Sequence, residues 1–200
     1  MSAEALAALA VALGAGWASG LNAYAAVLVL GGAERLGLVS LPHDLQVLAS
    51  PWVLGVAAIL FALNFLADKI PYIDSLNDML HTFVRVPAGA LLAYGAATGI
   101  SPEVAVIAGL LGGTLAAGTH IAKTGSRALI NTSPEPFSNI AASLAEDATV
   151  IGGLALAIAH PITFLCLLAV FVALLVWLLP KLLRLALAPF RRMARRGQKS

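Results

Sequence analysis

Three carboxylates lie in or beside apolar runs of this chain, where an ionised group is expensive: Asp68, Glu146 and Asp147. A charge at mid-bilayer costs on the order of 2.5–3.5 kcal/mol even on lenient insertion scales. Such residues are therefore the first candidates for function. Carboxylates on facing helices can bind a cation through hard oxygen ligands, or load and release protons. If a metal ion binds, these three would hold it. Asn139, Ser143 and Glu146 recur at steps of 4 and 3, so they share one helical face directed into a bundle. A purely structural reading is also open. In it Asp68 pairs with Lys69 or Arg127, and Glu146 with Arg85, fastening loops to the bundle.

A second polar group recurs at steps of 4, 3 and 4: Asp74, Asp78, His81 and Arg85, with Leu76, Met79, Leu80 and Phe83 opposite. This is the pattern of an amphipathic helix. Pro71 precedes it, Ser75 with Asp78 forms a capping box, and Val86-Pro87 closes it. The expectation is a short cytoplasmic interfacial helix with a solvated polar side. Asn22 and His120 stand near glycines and could bind a substrate or join helices by hydrogen bonds. Asn131, Thr132, Ser133 and Glu135 satisfy the backbone of a turn. His81 with Asp78 or Asp74 could act on a lipid headgroup at the cytoplasmic interface. However, the chain has no HExxH, P-loop, GxSxG or cysteine–histidine metal spacing. No cofactor is implied.

The elements that must position these residues follow from composition. Of 200 residues 60% are hydrophobic and 11% charged. Soluble domains carry about a quarter charged residues, and several apolar runs here reach the roughly 20 residues that cross a bilayer. The spans run from about Leu6 to Gly32, Trp52 to Ala67, Pro87 to Ile100, Val104 to Ile121, Asn139 to Ile158 and Ile162 to Leu179. A mixed loop, Glu34 to Pro51, follows the first, and a polar segment, Lys123 to Asn139, follows the fourth. The single Cys166 excludes an intrachain disulfide and reads as a packing residue.

Seven of the twelve Lys/Arg follow Leu179: Lys181, Arg184, Arg191, Arg192, Arg195, Arg196 and Lys199. A basic tail after a span suits anionic headgroups; without a binding fold it does not indicate nucleic acid. With six spans and both termini cytoplasmic, Lys69, Arg85, Lys123, Arg127 and the tail face inward and only Arg35 outward, eleven against one. That is a strong positive-inside bias.

Spans one and four also echo each other at an offset of 98. Leu13–Asn22 (LGAGWASGLN) and Leu111–His120 (LGGTLAAGTH) share four identities in ten and place Asn22 over His120. Leu66-Ala67-Asp68 likewise resembles Leu144-Ala145-Glu146. Gly16/Gly20 and Gly109/Gly113 have the GxxxG spacing that lets helices approach closely. Three spans per half would make the halves inverted, the arrangement common in secondary transporters.

The segments GLNAYAAVLVLGGAERLGLVSLP, ADKIPYIDSLNDMLHTFVRVPAGALL and INTSPEPFSNIAASLAED, with their DKIP, HTF and NTSPEPFSN motifs, resemble a bacterial membrane family catalogued as domain of unknown function 4126. The resemblance covers roughly Ser19 to Pro161. It implies an integral inner-membrane protein of undefined activity and supplies no site residues.

The sequence therefore predicts an all-α polytopic bundle of about six spans. Its transmembrane domain is 1–180, with inverted halves 6–100 and 104–180, and a basic surface tail is 181–200. The expected function is a small secondary transporter or channel for an ion or small solute. The alternatives are a scaffold or lipid-interacting protein and, more distantly, a lipid-modifying enzyme. Its partners are the bilayer, anionic headgroups and a transported solute, and a second copy of the chain is also admitted.

Overall fold

In hydrocarbon the backbone can satisfy its polar groups within a single segment only as a helix, and the apolar runs of this chain fold accordingly. A computed structural model describes residues 2–70, 73–130 and 136–178. Every regular element among them is helical: α1 (Ala3–Arg35), a 3-10 turn (His43–Ala49), α2 (Pro51–Ala67), α3 (Ile73–Ala97), α4 (Pro102–Ile130), α5 (Pro136–Ala159) and α6 (Pro161–Leu178). The chain divides into two units, Met1–Leu165 and Cys166–Ser200. In the second, 166–178 is helical and exposes Leu167, Val170, Leu174 and Trp177. Cys166 is exposed as well, contrary to the packing role expected of it.

Helix α1 is not one rod. Asn22 has extended backbone angles (φ −155°, ψ 100°), and its side-chain oxygen accepts from the Ala25 amide at 3.1 Å, capping the second half. A straight 33-residue helix would be about 50 Å long, leaving Arg35 far from Glu4. Instead Glu4, Ala7, Ala8 and Val11 line a 270 Å³ cavity together with Val39–Pro42, Ala96 and Ile158. Gly31 abuts Leu48, and Leu45 abuts Gly95. The chain therefore turns back at Asn22, and both ends of α1 lie at one end of the unit.

That reversal corrects the expected topology. The start of α1 shares an end with Ala96 and Ile158, whereas Asp68, Lys123, Arg127 and Asn139 gather at the other. The start of the chain is thus opposite the charged end, not beside it. By length and composition α1, α4, α5 and α6 could cross a membrane; the count becomes five if His43–Ala49 and α2, bent by 64°, form one span. The protein is a membrane-embedded helical bundle.

Other expectations also change. Val86-Pro87 does not close a short helix, because α3 continues through Pro87 to Ala97. Packed neighbours make such a proline tolerable in a membrane helix. Ser75 lies within α3, and the capping expected of its side chain falls outside the described residues. Nor is the polar side of α3 solvated. Asp74, Asp78 and Arg85 are buried, while Leu76, Met79, Leu80 and Phe83 (82% exposed) face outward. The pattern is amphipathic, as expected, but in hydrocarbon the charged face is the one that must hide. The polar segment after Ile121 is helical as far as Ile130. Pro71, Asn131, Thr132, Ser133, Glu135 and the basic tail lie outside the described residues.

The small residues act at the crossing of α1, α3 and α4. A Cβ on Gly16 would stand 2.5 Å from the Cα of Gly112, and one on Gly20 would collide with the backbone of Ala116. Gly89 of α3 closes on Ala116 and Gly16. Gly109 and Gly113 face Ala90 and Tyr94 of α3 instead. Because 16 meets 112 and 20 meets 116, the first half of α1 runs parallel to α4. Inverted halves would require these two echoing segments to run in opposite directions, so the expected inversion fails for them.

Candidate functional site

The last three turns of α4 carry His120, Lys123 and Arg127 at steps of 3 and 4, and all three are buried. Lys123 Nζ donates to Asp68 Oδ2 at 3.0 Å and to the Leu21 carbonyl at 3.4 Å. It is also 3.2 Å from Glu146 Oε2 and 3.3 Å from Asp78 Oδ1. Arg127 holds Glu146 in a bidentate pair, 2.9 and 2.7 Å, the fork geometry suited to a carboxylate. It also donates to the Asp68 carbonyl at 3.0 Å and to Asn139, through both its carbonyl and its side chain. Asp74 stands 3.8 Å away.

Arg85 of α3 donates to Asp78 Oδ1 at 2.7 Å and to Asn64 at 3.4 Å. It also lies 3.1 Å from His120 Nδ1. A guanidinium can only donate, so His120 Nδ1 carries no proton. Its Nε2–H then donates to Thr82 Oγ1 at 2.7 Å, and the Thr82 hydroxyl donates in turn to the Asp78 carbonyl at 3.1 Å. This pattern assigns His120 as neutral. Asn77 donates to Asn64 and Asp68, at 2.8 and 3.0 Å.

Asn22 reaches the network from the turn in α1, its Nδ2 donating to Asp147 Oδ1 at 3.0 Å. Asp147 is 7% exposed, and its Oδ2 has no hydrogen-bond partner among the described residues. Lys69, at the edge, donates to the Phe65 carbonyl at 3.0 Å and to Ser143 at 3.4 Å. His81 stays outside the network; its Nδ1–H donates to Asn77 O at 2.8 Å and its ring meets Tyr24 edge-on.

The structure thus brings Asp68, Glu146, Asp147, Asn22, His120, Asp74, Asp78, Arg85, Lys69 and Arg127 to one end of the first unit and leaves His81 at the margin. The partners differ from either pairing weighed on sequence. Asp68 is joined to Lys123, not Lys69, and Arg127 takes only its carbonyl. Glu146 is held by Arg127 and Lys123, not Arg85. Sequence reading missed Lys123, the hub, together with Asn64, Asn77 and Thr82. The signal for Lys123 is its spacing with His120 and Arg127, which continues the helical face into the segment expected to be polar. No group of three or more His, Cys, Asp or Glu among the described residues is arranged to hold a metal ion.

Two groups lie just past α2, outside the spanning segments. Burial pushes the Asp68 carboxyl up, but Lys123, Arg85 and Asn77 outweigh it and hold it below the ordinary 3.8. Burial draws Lys69 below its usual range, against the opposing pull of Asp147 and Asp68. Removing ions from water costs several kcal/mol each, and only close pairing repays it. This explains why nearly every charge here has two or more partners.

No curated protein and no solved structure matches the chain. A family model described as Domain of unknown function (DUF4126) matches residues 9–181, nearly the whole sequence, including every residue of the network. The chain belongs to that family, and the matched residues include the turn at Asn22 and the charges gathered around it.

Proposed function

We propose that this protein is a small secondary transporter of the bacterial inner membrane, moving an ion or small solute past the charge network. The observation that carries this reading is the break at Asn22, where a discontinuous helix ends on buried ionisable residues. Transporter sites are typically built where broken helices expose capping groups and carbonyls to the pathway. Both are present here, in the Asn22 side chain and the Leu21 carbonyl. Ionisable residues buried within the helices of a membrane-embedded protein are functional candidates.

In this reading the end of the first unit bearing Lys69, Arg85, Lys123 and Arg127 faces the cytoplasm, which follows the positive-inside bias. The start of α1 then faces the opposite side. The tail rests on anionic headgroups.

A scaffold role is the second reading. It is favoured by the closure of Arg85, Lys123 and Arg127 on two or more acceptors each. Flux of protons and alkali cations into proteoliposomes separates the two. Transport predicts native flux that falls about tenfold or more in Asp68→Asn and Glu146→Gln. Absence of native flux across a panel of ions and small metabolites would leave the scaffold reading in place.

A further inference from the structure

We infer that the coupling ion at this site is a proton, one per chain, and that Asp147 carries it; this deepens the transport reading and rests on it. Among the described residues the network holds five carboxylates: Asp68, Asp74, Asp78, Glu146 and Asp147. Four cations face them: Lys69, Arg85, Lys123 and Arg127. His120 is neutral, because Arg85 donates to its Nδ1. One negative charge is left over, and an uncompensated buried ion is strongly disfavoured.

The geometry points to the carboxylate that bears this excess. Asp68, Asp78 and Glu146 each lie within 3.0 Å of an ammonium or guanidinium nitrogen, and Asp74 within 3.8 Å. Asp147 alone has no ion pair among the described residues, only the Asn22 amide. Its second oxygen is buried and unpartnered. The groups facing it are Asn22 from α1, Lys123 from α4, and Asp68 and Lys69 from the end of α2.

The same neighbours exclude an alkali or alkaline-earth ion. A hard cation takes about six oxygen ligands. Asn22 presents its N–H₂ to Asp147 and commits its oxygen to the Ala25 amide. The nearest charged neighbours from α4 and α2 include two ammonium groups, which repel a cation. A proton needs only one oxygen. It forms an O–H bond at Oδ2 on loading and returns to water on release, with no other group changing. Its entry is from the Lys69 side, where the partly buried ammonium reaches Ser143, one helical turn before Asp147 on α5.

Infrared titration of the full-length protein in detergent tests this. The native protein is expected to show a protonated-carboxyl C=O band near neutral pH, equivalent to one proton per chain. Asp147→Asn should abolish it. Asp147→Glu, which keeps the carboxyl, should shift it and covers the case in which the Asn variant does not fold. A band unaffected by both substitutions, or no band in the native protein, overturns the proposal. The outcome is independent of flux. A band without transport would remove the transporter reading and leave the proton site, whereas transport without the band would do the reverse.

Discussion

Asn22 and Asp147 meet across α1 and α5 through one hydrogen bond of 3.0 Å, and the same Asn22 side chain begins the second half of α1. One residue thus turns the chain back and positions the least compensated carboxylate. Asn22→Ala removes both functions. A lost N-cap costs about 1 kcal/mol and an orphaned buried carboxylate oxygen about 1–3 kcal/mol more. Asn22→Ser, which can still cap, should recover part of the loss. Thermal melting in detergent gives the order native, Ser, Ala; equal melting of Ser and Ala would contradict the capping role.

The Arg127–Glu146 pair supports a sharper test. Arg127→Met removes the bidentate partner and leaves Glu146 with Lys123 alone, 3.2 Å away; breaking a buried pair costs up to about 3–5 kcal/mol. Adding Glu146→Met to that variant should restore most of it. A double-mutant cycle with no coupling between the two positions would show that the bidentate contact contributes little.

Glycines divide by what surrounds them. Gly16→Val must push α1 from α4, since even a Cβ would stand 2.5 Å from Gly112 Cα. Overpacking of this kind costs about 1–3 kcal/mol or more. Gly125 has open space in the same helix α4, so Gly125→Ala should stabilise by up to about 1 kcal/mol. Chemical unfolding of the two variants should move in opposite directions.

Asp68 gives a pH dependence with a defined sign. Its folded pKa lies below the ordinary 3.8 because Lys123 and its other partners outweigh burial. The stability it contributes is therefore fully present above that value and lost as pH falls through the lower folded pKa. Asp68→Asn should melt earlier than the native protein at neutral pH, and the gap should close only in strong acid. A gap that closes between pH 5 and 7, roughly, would assign the titration to another group.

Much of this architecture was legible in the sequence. Pro51, Pro102 and Pro161 open helices near the expected span edges, and the apolar runs between them are helical. The 74–78–81–85 spacing identified a true face. What the spacing could not convey was direction, because the same amphipathic pattern faces outward in water and inward in lipid. Lys123 was lost for a related reason. A lysine followed by Thr, Gly and Ser reads as loop, yet three carboxylates compensate it and let α4 run on to Ile130. Asn22 carried the weakest signal, since an asparagine among glycines and alanines suits helix packing as well as it suits an internal cap.

The fold-back at Asn22 determines where the network sits and which end of the unit the chain starts from, so its direct measurement is decisive. Spin labels at Glu4→Cys and Arg35→Cys, in a Cys166→Ser background, report the distance between the two ends of α1. Both positions are exposed. The two halves folded together predict a separation below about 25 Å, whereas a continuous helix over the same residues would hold the labels about 47 Å apart. The shorter distance is the result expected in lipid nanodiscs; the longer one would contradict the turned-back α1 and the site built upon it.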